Sequence, residues 1–172
     1  MKISTRTGDK GETSLFSGRR VSKSSEVIEL LGSIDELTSL LGACRFVIGH
    51  EGGKKVCKMI DRIQDDLYRI MSIIGFEMKA QPHIKEISDK DIVYLESEIE
   101  RLEVKIGEIK EFVKPGRTEA ASRFHIARSV CRRCERRAVL LSQEGMVVPE
   151  LILVYLNRLS DLLFLLAIRY EK

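Results

Sequence analysis

The 172-residue chain has few of the residues that break or cross-link a fold, with three prolines, four cysteines and no tryptophan. No apolar run approaches the roughly 18 residues of a transmembrane helix. Residues 1–11 also lack the apolar stretch of a secretory signal. We therefore expect a cytoplasmic protein whose cysteines stay reduced and which makes no membrane contact. Hydrophobic residues make up 44% and charged residues 32% of the chain, which excludes a disordered chain and favours one globular domain over residues 1–172.

The net charge of +3 is unevenly distributed along the chain. Residues 1–23 carry six basic and two acidic side chains, and residues 117–137 carry seven arginines against two glutamates. The remainder of the chain is acidic. Two basic segments on an acidic body predict a localised anion site, such as one for a polyphosphate. Because nucleic-acid-binding domains are more often basic throughout and richer in aromatic residues than the 6% found here, we expect no nucleic-acid partner.

Apolar residues recur in steps of three and four from about residue 24 to the end, a pattern typical of amphipathic helices. Five such stripes follow one another, at residues 30–48, 56–74, 92–109, 124–141 and 152–166. Ser88, followed by Asp91, resembles a capping box at the start of the third helix. The short breaks, rich in Gly and Pro, favour antiparallel neighbours. With no strand alternation of useful length, the sequence predicts an all-α bundle of five helices over residues 24–172, behind a polar N-terminal arm of residues 1–23.

Several familiar chemistries lack support in the residues. Cys131 and Cys134 form a Cys-x-x-Cys pair, but Cys44 and Cys57 do not form the second close pair that a structural zinc site requires. Both members of the pair fall on the apolar stripe of the fourth helix, which favours core packing. No histidine has a glutamate three residues before it, as a di-iron bundle needs, and no serine or cysteine is paired with a histidine base. We assign no metal ion to side chains.

The polar arm is the strongest local signal. Gly8, Gly11 and Gly18 give its backbone freedom, and threonine and serine hydroxyls alternate with cations. Such an arm can wrap phosphates, although it is not a Walker A loop, and its composition is equally that of a flexible terminus.

A second polar pattern accompanies the fourth helix. Arg128, Arg132 and Glu135 follow at i, i+4 and i+7, beside the apolar stripe. Their guanidinium groups can hold phosphate oxygens in a bidentate manner or form ion pairs with another helix. Asp35 is a candidate partner, because small residues around it let another helix approach. Asn157, beside the stripe of the fifth helix, needs a polar partner, which is either a ligand or a helix end.

Taken together, five blocks of residues resemble the PduO-type ATP:cob(I)alamin adenosyltransferases. The blocks are TRTGDKG at 5–11, GSIDEL at 32–37, FVKPG at 112–116, HIARSVCRRCER at 125–136 and YLNRLSD at 155–161. They occur in the family's order and span nearly the whole chain.

The resemblance implies a homotrimer of five-helix bundles, with active sites at the subunit interfaces that bind Mg²⁺, ATP and a corrinoid. It implies that cob(I)alamin attacks the 5′ carbon of ATP, giving adenosylcobalamin and triphosphate. Arg128 and Asp35 would pair across the interface, and Phe112 would lie beneath the corrin ring. The implied catalytic residues are Asp35, Phe112, Arg128 and Arg132. The implied ATP-binding residues are Thr5, Arg6, Thr7, Gly8, Thr13, Ser14, Lys23, Arg132, Arg133, Glu135, Arg136 and Asn157.

Two positions depart from the family pattern. Arg117 stands where a second glycine often follows Pro-Gly, and Thr38 stands where asparagine often follows Asp-Glu-Leu. Both concern local loop geometry more than the reaction. The alternative to an enzyme is a carrier or sensor that binds ATP and corrinoid without turnover. An enzyme of this kind would hand its product to an adenosylcobalamin-dependent enzyme.

Overall fold

The computed structural model shows five helices preceded by a short hairpin, which confirms the predicted helical bundle. It describes residues 6–50, 53–109 and 113–171. The helices are α1 (Glu26–His50), α2 (Lys54–Gly75), α3 (Asp89–Ile106), α4 (Glu119–Gln143) and α5 (Glu150–Tyr170). The third stripe was predicted to reach Ile109, but the helix ends earlier, because Gly107 takes a φ of 74° that ordinary residues rarely adopt.

The sequence predicted no strand, and here the structure differs. Two three-residue strands, β1 (Glu12–Ser14) and β2 (Arg20–Ser22), pair antiparallel within the arm. Strands of this length are too short for alternation to reveal. The turn between them depends on Gly18, whose φ is +85° and whose N–H donates to the carbonyl of Leu15 at 2.9 Å.

The hairpin is folded against the C-terminal end of α2. The ring of Phe16 lies 5.6 Å from that of Phe76, centroid to centroid. It also covers Gly75, where a Cβ would lie only 2.5 Å from the ring. Arg19 pairs with Glu77 at 2.7 Å on the same side. The described part of the arm is therefore attached to the bundle, which argues against the flexible-terminus interpretation.

Two of the helix pairs that follow each other in sequence, α1 with α2 and α4 with α5, pack together, and the antiparallel arrangement of neighbours stays a prediction. α1 packs against α2 and α4, and α5 packs against α4 and α3. At one end of the bundle, the hydroxyl of Thr118 caps α4 and donates to the carbonyl of Tyr170 at 2.7 Å. The start of α4 is thereby joined to the end of α5.

The apolar stripes meet in one continuous core that includes both residues of the Cys-x-x-Cys pair. Cys131 and Cys134 are fully buried, and all four cysteines are free thiols. Cys131 donates to the carbonyl of Leu156 at 3.2 Å. Burial raises the pKa of Cys134 to about 12 and that of Cys131 well above its usual value. These thiols are unreactive, and the core-packing interpretation is confirmed.

A polar network crosses the core between α2, α3 and α5. Arg69 pairs with both Asp66 and Asp91. Asp91 accepts hydrogen bonds from the backbone N–H and the hydroxyl of Ser88 at 3.0 and 2.9 Å, which is the capping interaction predicted at the start of α3. Tyr155 reaches Asp66 from α5. Each charge in the network therefore has a partner, as buried charges require.

Among the described residues, α5 is the one helix that passes a length and hydropathy test for a membrane span, with a mean hydropathy of 1.9 in its most apolar window. Asn157, Arg158 and Asp161 interrupt that window. About 61% of it is buried inside the bundle, so its apolar residues form the core.

Candidate functional site

The structure divides the arginines of α4 between two sides of the helix. Arg128 and Arg132 lie toward α5 and α3. Arg133 lies toward α1 and pairs there with Glu36. Arg136 is exposed on the outer side of the helix. The predicted cationic site is thus a belt around α4 and not one cluster.

A cavity of about 350 Å³ lies between α3, α4 and α5. Its walls combine two arginines, Arg128 and Arg132, and two carboxylates, Glu103 and Asp161, with apolar side chains such as Phe164. Phe112 lies outside the described residues, but Ile109, three positions earlier, lines this cavity. A cavity lined by both charged and apolar side chains can bind a ligand that has polar and apolar parts.

An open cleft of about 590 Å³ runs along the outer side of α4 and is bordered by Pro115 and Gly116. Arg128 lines both this cleft and the inner cavity. Its Nε is buried and has no hydrogen-bond acceptor within residues 6–50, 53–109 and 113–171. A buried N–H without an acceptor indicates a missing partner.

Asp35, the predicted partner of Arg128, lies on a different face of the bundle. It is exposed on α1, beside Phe16 and Tyr68 in a shallow pocket of about 460 Å³. The two residues therefore belong to separate surfaces of one chain. Their pairing between two chains stays a prediction.

Glu135 and Asn157 do come together. The amide of Asn157 donates to a carboxylate oxygen of Glu135 at 2.9 Å, and its own oxygen accepts from Arg158 at 2.8 Å. The polar partner of Asn157 that the sequence left open is therefore Glu135, one turn along α4 from Arg132. The bond fixes the orientation of two predicted ATP-binding residues.

In the arm, several predicted phosphate-binding residues converge. A Cβ at Gly8 would lie 3.1 Å from Nζ of Lys23, so this ammonium lies directly over the glycine. The guanidinium of Arg20 donates to the carbonyl of Thr7 at 3.1 Å and to the hydroxyl of Ser14 at 3.4 Å. The loop and the hairpin are tied together by these contacts.

The sequence did not predict a role for Arg20. In the hairpin this residue lies opposite Ser14, and its contacts order the arm. The glycine turn at residue 18 was the signal that could have revealed the hairpin. Of the other predicted arm residues, Thr13 is half-buried in β1 and Arg6 is exposed with a φ of 60°. Thr5 lies outside the described residues.

Within one chain, the arm and the arginine belt occupy different sides. The arm rests on the end of α2, whereas the belt faces α1, α3 and α5. In the described part of the chain, no group of three or more His, Cys, Asp or Glu side chains is arranged to hold a metal ion. The arrangement offers charged groups, hydroxyl groups and apolar side chains, which together can bind and orient a ligand.

This architecture defines a class, a five-helix bundle with a short basic N-terminal hairpin and a cavity lined by charged and apolar side chains. A family model described as cobalamin adenosyltransferase matches residues 3–170. The chain belongs to that family.

The similarity extends to individual relatives. The corrinoid adenosyltransferase PduO of Salmonella typhimurium is 40% identical over 168 residues, which cover 97% of this chain and 49% of the relative. The corrinoid adenosyltransferase of Bacillus subtilis is 36% identical over 165 residues, which cover 95% of this chain and 83% of the relative. The chain thus spans about half the length of the PduO relatives that it matches.

The fold matches solved structures as well. A variant PduO-type ATP:corrinoid adenosyltransferase from Lactobacillus reuteri, complexed with cobalamin and ATP, superposes with a TM-score of 0.88 at 29% identity. The match covers 96% of this chain and 89% of that one. A second variant of the enzyme from Lactobacillus reuteri, complexed with ATP, gives a TM-score of 0.87 at 29% identity. This match covers 98% of this chain and 94% of that one.

Proposed function

We propose that this protein transfers the 5′-deoxyadenosyl group from ATP to cob(I)alamin, forming adenosylcobalamin and releasing triphosphate. One observation carries the proposal: the family match, over residues 3–170, includes both the basic arm and the helices around the cavity. The L. reuteri relative was solved with both ATP and cobalamin, so ligands of both kinds fit a bundle of this shape.

The proposed chemistry agrees with what the site contains. The cobalt of the substrate is the nucleophile, and therefore the protein needs no general base. Its tasks are to hold the two substrates in line and to stabilise the triphosphate that leaves. The ammonium of Lys23, which lies over Gly8, and the guanidinium of Arg132 are cations that can stabilise the negative charge of the triphosphate.

The ATP-binding site would consist of two groups of residues. The arm contributes Thr5, Arg6, Thr7, Gly8, Thr13, Ser14 and Lys23, and α4 and α5 contribute Arg132, Arg133, Glu135, Arg136 and Asn157. Because the arm and the arginine belt lie on different sides of one chain, we propose that the arm of one copy meets the belt of the next. Such a head-to-tail contact closes into a ring, here a homotrimer.

The proposed pairing of Asp35 with Arg128 belongs to the same interface. Asp35 is exposed on the face that carries the arm, and Nε of Arg128 is buried without an acceptor in the described chain. A carboxylate from the neighbouring copy would supply the missing acceptor.

Mg²⁺ would enter with ATP. This ion keeps several waters and is usually held by substrate phosphates with only one or two carboxylates, so it requires no cluster of acidic residues. Glu135, oriented by Asn157, is the carboxylate of the site nearest in sequence to Arg132.

The corrinoid would occupy the cavity between α3, α4 and α5, with Phe164 on one wall. We propose that Phe112 lies beneath the corrin ring, where cobalamin's axial base would otherwise bind. Loss of that base leaves a four-coordinate cobalt that is easier to reduce.

The competing function is a carrier or sensor that binds ATP and corrinoid without turnover. Visible spectroscopy of protein, Mg-ATP and chemically reduced cobalamin separates the two. An enzyme converts the spectrum to that of adenosylcobalamin over many turnovers. A carrier produces at most a binding shift that saturates at one corrinoid per site.

A further inference from the structure

Three consecutive hydrogen bonds connect α3, α5 and α4. Nε of Arg158 donates to Oε1 of Glu96 at 2.9 Å, and Nη1 of Arg158 donates to Oδ1 of Asn157 at 2.8 Å. Nδ2 of Asn157 then donates to Oε1 of Glu135 at 2.9 Å. These bonds form one network, the Arg158 network. Asn157 and Glu135 belong to the proposed ATP site, whereas Arg158 and Glu96 are not among its residues.

The network allows the amide of Asn157 a single orientation. A carboxamide accepts with its oxygen and donates with its NH2 group, whereas a guanidinium group only donates and a carboxylate only accepts. Arg158 therefore meets the amide oxygen, and Glu135 meets the NH2 group. Rotation of the amide by half a turn would bring two donors together on one side and two acceptors together on the other. The charged groups on both sides thus fix how Asn157 is turned.

Arg158 is itself held from α3. The side chains of Arg158 and Glu96 are 38% and 47% exposed, and an ion pair so exposed contributes little to stability. The pair does fix the plane of the guanidinium, because Nε and Nη1 then bond to two different side chains, one of them on another helix. Loss of the pair should leave the fold intact, so its main effect is on the geometry of the groups that Arg158 contacts.

We propose that Arg158, anchored by Glu96, is a positioning residue for the ATP site. Arg158 holds the amide of Asn157 in the orientation that donates to Glu135. That bond in turn holds the Glu135 carboxylate in place, one turn along α4 from Arg132. It uses one of the two carboxylate oxygens, and the other can accept from the nucleotide. The inference rests on the proposed function, because ATP is the ligand that Asn157 and Glu135 would contact.

Nuclear magnetic resonance tests the positioning without any assay of activity. Asn157 is the single asparagine of the chain, so protein labelled with ¹⁵N in asparagine alone gives the signals of one side-chain NH2 group. In the wild type we expect one of its two proton signals to be shifted downfield and protected from exchange with water, because that proton is bonded to a carboxylate. In Arg158→Ala both signals should move toward those of free asparagine and exchange faster.

Arg45→Ala is the matched control. Arg45 pairs with Asp61 between α1 and α2, and their side chains are 48% and 47% exposed, so this variant removes an ion pair of the same kind from another pair of helices. It should leave both amide signals where they are in the wild type. Unchanged signals in Arg158→Ala, or an equal change in Arg45→Ala, would overturn the positioning role whether or not the protein is an adenosyltransferase.

A double-mutant cycle measures what the positioning does for the reaction. Arg158→Ala should lower kcat/KM for ATP by about tenfold, since a hydrogen bond to a charged group is lost, with little change in KM for the corrinoid. In a protein that already carries Asn157→Ala, the same substitution should change kcat/KM by less than about twofold, because Arg158 acts through the amide. Glu96→Gln keeps an acceptor for Nε and should retain more activity than Glu96→Ala.

Equal losses from Arg158→Ala with and without Asn157 would overturn the proposal, because Arg158 would then act by another route. Equal losses in Glu96→Gln and Glu96→Ala would contradict the anchoring by Glu96. If the wild type forms no adenosylcobalamin, the proposed function fails, and the amide signals still decide whether Arg158 orients Asn157.

Discussion

The hydroxyl of Tyr155 donates a hydrogen bond of 2.9 Å to the carboxylate of Asp66 in the interior of the bundle. Tyr155 is fully buried and Asp66 is 3% exposed. Burial, reinforced by the nearby charge of Asp66, raises the pKa of Tyr155 well above its usual value, so the phenol stays protonated and continues to donate. The bond joins α5 to α2 across the core.

Tyr155→Phe should therefore lower the free energy of unfolding by about 1–3 kcal/mol, because a buried carboxylate oxygen loses its donor. Denaturant titration measures this loss. Tyr68→Phe is the control, since Tyr68 is 55% exposed and its hydroxyl is accessible to water. Equal stability of the two variants would show that the buried bond contributes nothing net.

Asp91 should make stability depend on pH. Burial opposes its charge, but hydrogen bonds from Arg69 and Ser88 outweigh burial and hold the pKa of Asp91 below its usual value. A depressed pKa in the folded state adds stability above the unfolded pKa, about 3.9, and this stability is lost as the pH falls through the folded pKa. Wild type should exceed Asp91→Asn in unfolding free energy at pH 7, and the gap should close below about pH 4. A gap that stays constant with pH would contradict the ionic role.

Lys23→Ala and Arg132→Ala should each weaken ATP use by about ten- to a hundredfold, because each removes a cation from the proposed triphosphate site. Steady-state kinetics with ATP as the varied substrate, and circular dichroism to verify the fold, provide the test. Lys90→Ala, an exposed lysine on α3, should leave the kinetics unchanged. Wild-type kinetics in either variant would remove that residue from the site.

The proposed interface predicts rescue between two inactive variants. Asp35→Ala and Arg128→Ala should each impair assembly and turnover, since removing one partner of a sheltered pair costs on the order of 3–5 kcal/mol. When the two variants are expressed together, a mixed ring contains an interface with both residues intact, and activity should reappear there. Sedimentation reports the trimer. A monomer at micromolar concentration, or no rescue in verified mixed rings, would refute the interface.

Phe112→Ala should distinguish a role in cobalt reduction from one in packing. Turnover should fall by about tenfold or more when cobalt(II) must be reduced on the enzyme, with a smaller loss when free cob(I)alamin is supplied. ATP affinity should change little. Equal losses under both supplies, with a lowered melting temperature, would identify Phe112 as a packing residue.

The helices were predictable because each buries one continuous stripe, and a stripe is a local property of the sequence. Contacts between segments that are distant in sequence could not be predicted in this way. The bond between Glu135 and Asn157 depends on how α4 and α5 are rotated relative to each other, and the pairing of Arg20 with Ser14 depends on a turn at Gly18. The bond between Arg158 and Glu96 likewise joins two residues that are far apart in the chain. Asp35 and Arg128 were singled out by their helix faces, and their pairing between two copies stays a prediction.

The fate of doubly labelled ATP tests the central proposal most directly. ATP labelled with ¹⁴C in the ribose and ³²P in the γ-phosphate would be incubated with the protein, Mg²⁺ and cob(I)alamin, and the products separated. We predict that the ¹⁴C appears in a light-sensitive corrinoid and the ³²P in triphosphate, one for one and over many turnovers. Recovery of ³²P as orthophosphate beside labelled ADP, or of intact ATP bound to the protein, would contradict adenosyl transfer.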